Sequence, residues 1–359
     1  MLCFAFLAIC PDLFSTRQKI NTKVTVYNDI FFTESGLLPL PENAIELEYE
    51  FSIQSDHFQI PKKIASDSLG NIYVSDKTKC SINKFNTNGE FLQQIGEKGR
   101  KKGYFLSPLN ILASEVLVVQ DVGKKSLEYM DLHGNYIKSQ KISGFTDIVS
   151  DGNNRLYVAP HVQDKKSSLI KVYSSDGKML DSFGQPLSFH HSMQTLNSRT
   201  LALNSKGELY VAFTYFPLVR KYSSDGELLA EFRIENLITE AKENFNLKRI
   251  GEGIANPIRR FGYMEVTVDI EIFKDKIYLM SDYPRLEILV MDETGKVTST
   301  YWKDYQEIYE ACDFLVQEIG GKVKFYVLFS SPLKYDVYNG FVDSDQNESQ
   351  FKVYLLTIN

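Results

Sequence analysis

The 359-residue sequence has four cysteines, one tryptophan and no apolar run long enough to cross a bilayer as a helix, and each shortage removes a class of protein. Cys3, Cys10, Cys80 and Cys312 form no CxxC pair, which excludes a zinc knuckle and a thioredoxin-like redox motif. Cys80 and Cys312 are read as unpaired, half-buried thiols, since sequence alone establishes no disulfide. Positive charge is not in surplus either. Forty Lys and Arg face 46 Asp and Glu, a net charge of −6, so no general attraction draws the chain to nucleic acid or anionic lipid. No HExxH, GxSxG or GxxxxGKS/T spacing occurs, so zinc-protease, serine-hydrolase and phosphate-loop chemistry lack their signatures. The Asp343, Asp345, Asn347 spacing begins like a calcium loop but meets Glu348 where Gly is required.

What remains is a folded chain, 43% hydrophobic and 24% charged, whose 21 Tyr and 24 Phe favour strands. Residues 60–96 read as four short alternating strands, with turns at 67–71 and at Asn88-Gly89. The second of these turns recurs with Gly134, Gly177, Gly226 and Gly295, at spacings of 45, 43, 49 and 69 residues. The first three spacings fit a propeller blade of about 40–50 residues. The second strand recurs as GNIYVSD, VLVVQD, NRLYVAP, GELYVAF and DKIYLMSD. A further blade takes its first three strands from 312–330 and 351–358, and its fourth from 45–53 at the other end of the chain. That closure hides two strand edges which would otherwise invite aggregation.

The expected fold is therefore all-β: a six-bladed β-propeller of four-stranded blades over 45–359, closed by an N-terminal strand, with one short helical insert. Residues 19–44 form an N-terminal extension and 1–18 a signal-like or lipoprotein-leader segment, whose Leu7-Ala8-Ile9-Cys10 resembles a lipoprotein box. Cys10 is thus a candidate for lipidation, although Ile9 departs from the small residue expected there. The segment 58–108, with Pro61, Gly70-Asn71, Tyr73-Val74, Asp76, Phe85, Asn88-Gly89, Gly96 and Pro108, resembles an NHL repeat. The whole chain from about 45 onward is similar to the TolB-like propellers common among exported proteins of Bacteroidetes. This resemblance implies a fold; function on a propeller lies in its loops.

One face of the ring carries minimal turns, whereas 97–108, 185–198, 236–264 and 330–350 are long connections on the other, which makes the long-loop face the expected working side. In 236–264, Leu237, Ile238, Ala241, Phe245 and Leu247–Ile250 predict one apolar helix face, placing a lid or buttress there. Basic residues gather in these and neighbouring loops: Lys98 and Arg100–Lys102, Lys124–Lys125, Lys165–Lys166, Lys248–Arg249 and Arg259–Arg260. Arg100, His190, His191, Arg199, Arg259, Arg260 and Tyr263 are the candidate ligand-binding residues. If the basic groups converge, they suit an anionic ligand such as a carboxylated glycan, or an acidic protein; otherwise they are solvated loop charges. The leading expectation is an exported, non-enzymatic propeller, periplasmic or surface-attached, binding a protein or glycan, with no nucleic-acid partner, no cofactor and membrane attachment by a lipid anchor only. The alternative is a metal-dependent propeller enzyme, a lyase or lactonase, with its site at the channel mouth; the five histidines lack a ligand spacing that favours it.

Overall fold

The computed structural model describes residues 30–33, 36–54, 58–142, 144–152, 155–255, 262–304, 310–330, 335–336, 340–341 and 352–357. The alternating runs become antiparallel strands whose order follows the chain in four sheets, while two others end on a strand from the N-terminal segment. Sheet I comprises Pro61–Ser66, Ile72–Asp76, Ser81–Phe85 and Phe91–Ile95. Sheets II, III and IV repeat this plan over 108–140, 145–183 and 199–233. Sheet V covers 269–303, and sheet VI joins Glu310–Ile319, Lys322–Ser330, Lys352–Thr357 and Glu48–Gln54. The first strands of the sheets touch their neighbours in a closed cycle from I through VI and back to I. The sheets therefore stand around one axis as a β-propeller.

The short turns explain the repeat that the sequence displays. The Asp67 carboxylate accepts the Leu69 and Asn71 amides, and Gly70 at φ +82° supplies the left-handed position that closes the loop. Asp131 does the same for His133 and Asn135. Between the sheets, first-strand residues Ile64, Ile111, Ile148, Leu201, Ile270 and Phe314 are buried, each contributing roughly 1.5–3 kcal/mol of transfer free energy. Second-strand tyrosines Tyr73, Tyr157, Tyr210 and Tyr326 fill the wider gaps.

Two expectations need correction. Five sheets are four-stranded blades as expected, whereas sheet V carries a fifth strand. The segment read as one strand from 45 to 53 divides at Leu47. Ala44–Glu46 adds parallel to Val297–Lys303 of sheet V, and Glu48–Gln54 pairs antiparallel with Lys352–Thr357 to complete sheet VI. Leu47 is wholly buried among the cores of these two sheets, and its amide donates to the Trp302 carbonyl at 2.8 Å. An open sheet edge offers unpaired amides and carbonyls, and the passing chain satisfies some of them on its way to the next sheet.

The insert between sheets IV and V forms a long helix. After the short helix α1, Met193–Leu196, the second helix α2 spans Leu237–Ala255. Asn236 caps it by accepting the Ile238 amide at 2.8 Å. The expected apolar stripe is only partly what docks, because Leu237 and Leu247 are exposed while Thr239, Lys242, Glu243 and Asn246 are buried. Asn246 donates to the carbonyls of Tyr215 and Met264 and accepts the Met264 amide; Lys242 donates to Ser281 Oγ at 2.8 Å. Polar clasps anchor the helix over sheets IV and V, with a small apolar contact through Ile238, Phe31 and Met264.

Candidate functional site

Two dense groups of charge stand out, one on the axis and one at the rim. The axial group follows from register. The residues immediately before Ile64, Ile111, Ile148, Leu201, Ile270 and Phe314, which pair with equivalent second-strand positions, are Lys63, Asn110, Asp147, Thr200, Asp269 and Asp313. Lys63 Nζ lies 2.8 Å from Asp313 Oδ1 and 3.3 Å from Asp269 Oδ1. Asp313 Oδ2 accepts the Ile64 amide at 2.6 Å, and Asp147 Oδ2 accepts the Leu201 amide at 2.8 Å. Asn110 donates to the Thr146 carbonyl. Each contact joins different sheets, so this ring staples the propeller internally.

Burial sets the protonation here. It pushes Asp269 well above the usual carboxylate range, against the opposing pull of Lys63, and it pushes Asp147 up to about 6 and Glu271 up to about 8. Burial alone would lower Lys63, but Asp269 and Asp313 outweigh it and hold the ammonium well above its ordinary value. The described part of the axis thus holds an internal cation among carboxylates, not a histidine cluster. Among the described residues no three His, Cys, Asp or Glu side chains are arranged to hold a metal ion.

The rim group is a cleft of about 200 Å³ beside sheet II, at the margin of the long-loop face. Three connections build it. The 97–107 loop is pinned by Phe105, fully buried, whose ring lies so close to Gly96 that a Cβ there would meet it at 2.4 Å. Asp121 gathers the loop ends by accepting the Leu106, Ser107 and Lys124 amides. Arg100, Lys101 and Lys102 line the cleft from this loop, together with Lys124 from the 122–125 turn and Lys141 just after the last strand of sheet II. Lys124 Nζ donates to the Lys101 carbonyl at 3.2 Å and Lys141 Nζ to the Lys124 carbonyl at 3.1 Å, which ties the three connections together. Glu128 forms part of the lining; its Oε1 accepts the hydroxyls of Ser126 and Ser139 at 2.6 and 2.8 Å, and its Oε2 lies 3.7 Å from Lys124 Nζ. Among the described residues, Lys124 alone of the five cations has a carboxylate within ion-pair distance.

The candidate residues separate. Arg100 lies in the cleft, which is lined only by residues between 100 and 141. His190 is exposed, while His191 packs on α2, its Nε2 3.1 Å from the Ile250 carbonyl and its ring over Gly253. Tyr263 lies beside the same loop, with its hydroxyl 3.4 Å from Ser192 Oγ and its ring against Tyr215. Arg199 is not a surface ligand. It is buried, and its guanidinium donates to the carbonyls of Pro160, Leu169 and Asn197, bracing sheet III against sheet IV. Arg259, Arg260 and Cys10 lie outside the described residues. Cys80 and Cys312 are free thiols. Glu128, Ser126, Ser139 and Lys141 carry no motif in the sequence; the one available signal is an acid within the strand-like run SLEYM at 126–130, all five residues of which are buried.

Solved structures share this fold at low identity. A Bacteroides fragilis protein described as exported is 13% identical, with 91% of this chain and 97% of that chain covered and a TM-score of 0.56. A member of the DUF4221 family from Bacteroides vulgatus is 9% identical, covering 89% and 99%, with a TM-score of 0.57. Virginiamycin B lyase from Staphylococcus aureus with quinupristin is 11% identical, covering 87% and 99%, with a TM-score of 0.50. No protein-family model matches the chain, and no curated protein sequence does. At such identities the likeness establishes a propeller fold with Bacteroides neighbours and nothing about ligand or reaction.

Proposed function

From this fold and its charged rim, we propose that the protein is an exported, non-enzymatic propeller that binds an anionic ligand or partner through the cleft beside sheet II. The observation that carries this reading is the convergence of Arg100, Lys101, Lys102, Lys124 and Lys141 on one recess of a chain whose net charge is −6. Cations held together by backbone bonds, with a single carboxylate among them, have donors to spare for an incoming anion. Export draws support from the Bacteroides fragilis neighbour described as exported and from the apolar stretch at 1–10. On this reading sheet V, despite its fifth strand, counts as the sixth blade, and the chain stands beside the NHL-repeat and TolB-like propellers. Lipid attachment at Cys10 belongs to the same proposal, and Cys10→Ser then releases the protein from membranes. Against the enzyme alternative weighs the axis, where Lys63 and backbone amides already engage Asp313, Asp269 and Asp147.

The test uses intact protein and immobilised polygalacturonate, a carboxylated glycan. Binding at low salt should weaken about tenfold or more in the Arg100→Glu, Lys102→Glu variant, each rim charge being worth on the order of 1 kcal/mol, and should fall with added salt. Binding that ignores both the variant and the salt contradicts the proposal.

A further inference from the structure

We infer that the cleft selects an acid that also carries hydroxyl groups, of the hexuronate type, over a bare oxyanion, and that Glu128 makes the selection. This rests on the anion-binding reading above and specifies its ligand. Five cations alone would take sulfate, phosphate or any carboxylate. A carboxylate set among them changes the requirement. Glu128 Oε1 already receives two hydroxyls, from Ser126 and Ser139. Oε2 is 3.7 Å from Lys124 Nζ, beyond hydrogen-bond reach, so it keeps acceptor capacity within the recess. An ionised carboxylate only accepts. It repels the oxygens of sulfate, which also only accept, and it welcomes a hydroxyl donor.

A sugar acid meets both demands at once. Its carboxylate faces Arg100 and Lys102, while a ring hydroxyl donates to Glu128 Oε2. The volume of about 200 Å³ suits one such residue more than a run of polymer. The faces of Tyr104 and Tyr136 already carry the ammonium groups of Lys101 and Lys102 at 5.8 and 5.6 Å, so selection falls to polar groups and not to ring stacking. A free sugar acid and the terminal uronate of a glycan share this chemistry.

The test is calorimetric titration of intact protein at low salt with D-galacturonate, D-galactose and inorganic sulfate. Galacturonate should bind at least about tenfold more tightly than either of the others, as expected where a buried acceptor demands a donor. Glu128→Gln should shrink the gap over sulfate to about threefold or less, chiefly by improving sulfate. Should that variant fail to fold, Ser139→Ala removes a donor to Glu128 and should widen the same gap. Trigalacturonate binding above the monomer identifies a glycan end, and equal binding identifies the free acid. The inference is overturned if sulfate matches galacturonate in the unaltered protein, if the gap survives Glu128→Gln, or if only polygalacturonate binds. In each of those cases the anion-binding reading still stands; it falls only if no anion, polygalacturonate included, binds.

Discussion

The axial ring and the rim cleft are both crowded with charge, yet they use it in opposite ways. On the axis Lys63 is flanked by two aspartates and the carboxylates take backbone amides from the next sheet, so the charges are spent on holding the ring. At the rim, lysines are tied to backbone carbonyls and one another's loops, and only one has a carboxylate partner among the described residues. Saturated charge is architecture; charge held in place but left unneutralised points to a ligand.

Lys63→Met leaves Asp269 and Asp313 buried without their cation and should cost about 3–5 kcal/mol of stability in urea unfolding at neutral pH. A loss under about 1 kcal/mol would mean that the axial ion pairs contribute little. Asp147 gives a subtler, pH-dependent readout. Its folded-state value, raised to about 6 by burial, exceeds the unfolded one, so the folded protein holds this proton more tightly. Its contribution to stability is present in acid and is lost as pH rises from about 4 to about 6. Asp147→Asn keeps an acceptor for the Leu201 amide and should flatten that fall by about 3 kcal/mol; an unchanged profile contradicts the role of burial.

Gly253→Ala places a methyl 2.2 Å from His191 Nε2 and should lower stability by about 1–3 kcal/mol by lifting the 185–192 loop from α2. Polygalacturonate binding should be untouched by it, since the cleft lies beside sheet II. The smallest stability effect belongs to Arg100→Glu, Lys102→Glu, expected within about 0.5 kcal/mol of the unaltered protein although it disables binding.

The blades were legible because their turns need particular residues. Asp67 and Gly70 are set by local hydrogen bonds and a left-handed φ, and such requirements leave a repeating trace. Where satisfaction comes from afar, the trace vanishes. The alternation through IELEYEFSI reads as one strand, and only partners in distant sheets, among them the Trp302 carbonyl and the Lys303 ammonium, make the chain change sheets at Leu47. Helix α2 was visible as a period but not in its seating, because Lys242 and Asn246 are buried by partners in sheets IV and V and their preceding loops. At the cleft, Arg100 and Lys124 announced themselves as loop charges. Glu128 did not, since a strand residue shows its role only when the neighbouring loops fold over it, and Lys141 stands just past a strand end with no other basic residue beside it.

Lysine acetylation footprinting of the intact protein, with and without polygalacturonate, tests the division between axis and rim most directly. Protection should concentrate at Lys101, Lys102, Lys124 and Lys141, with Lys165 and Lys166 modified equally in both samples. Protection centred on Lys165, Lys166 or Lys248, or none at the cleft, would contradict that division.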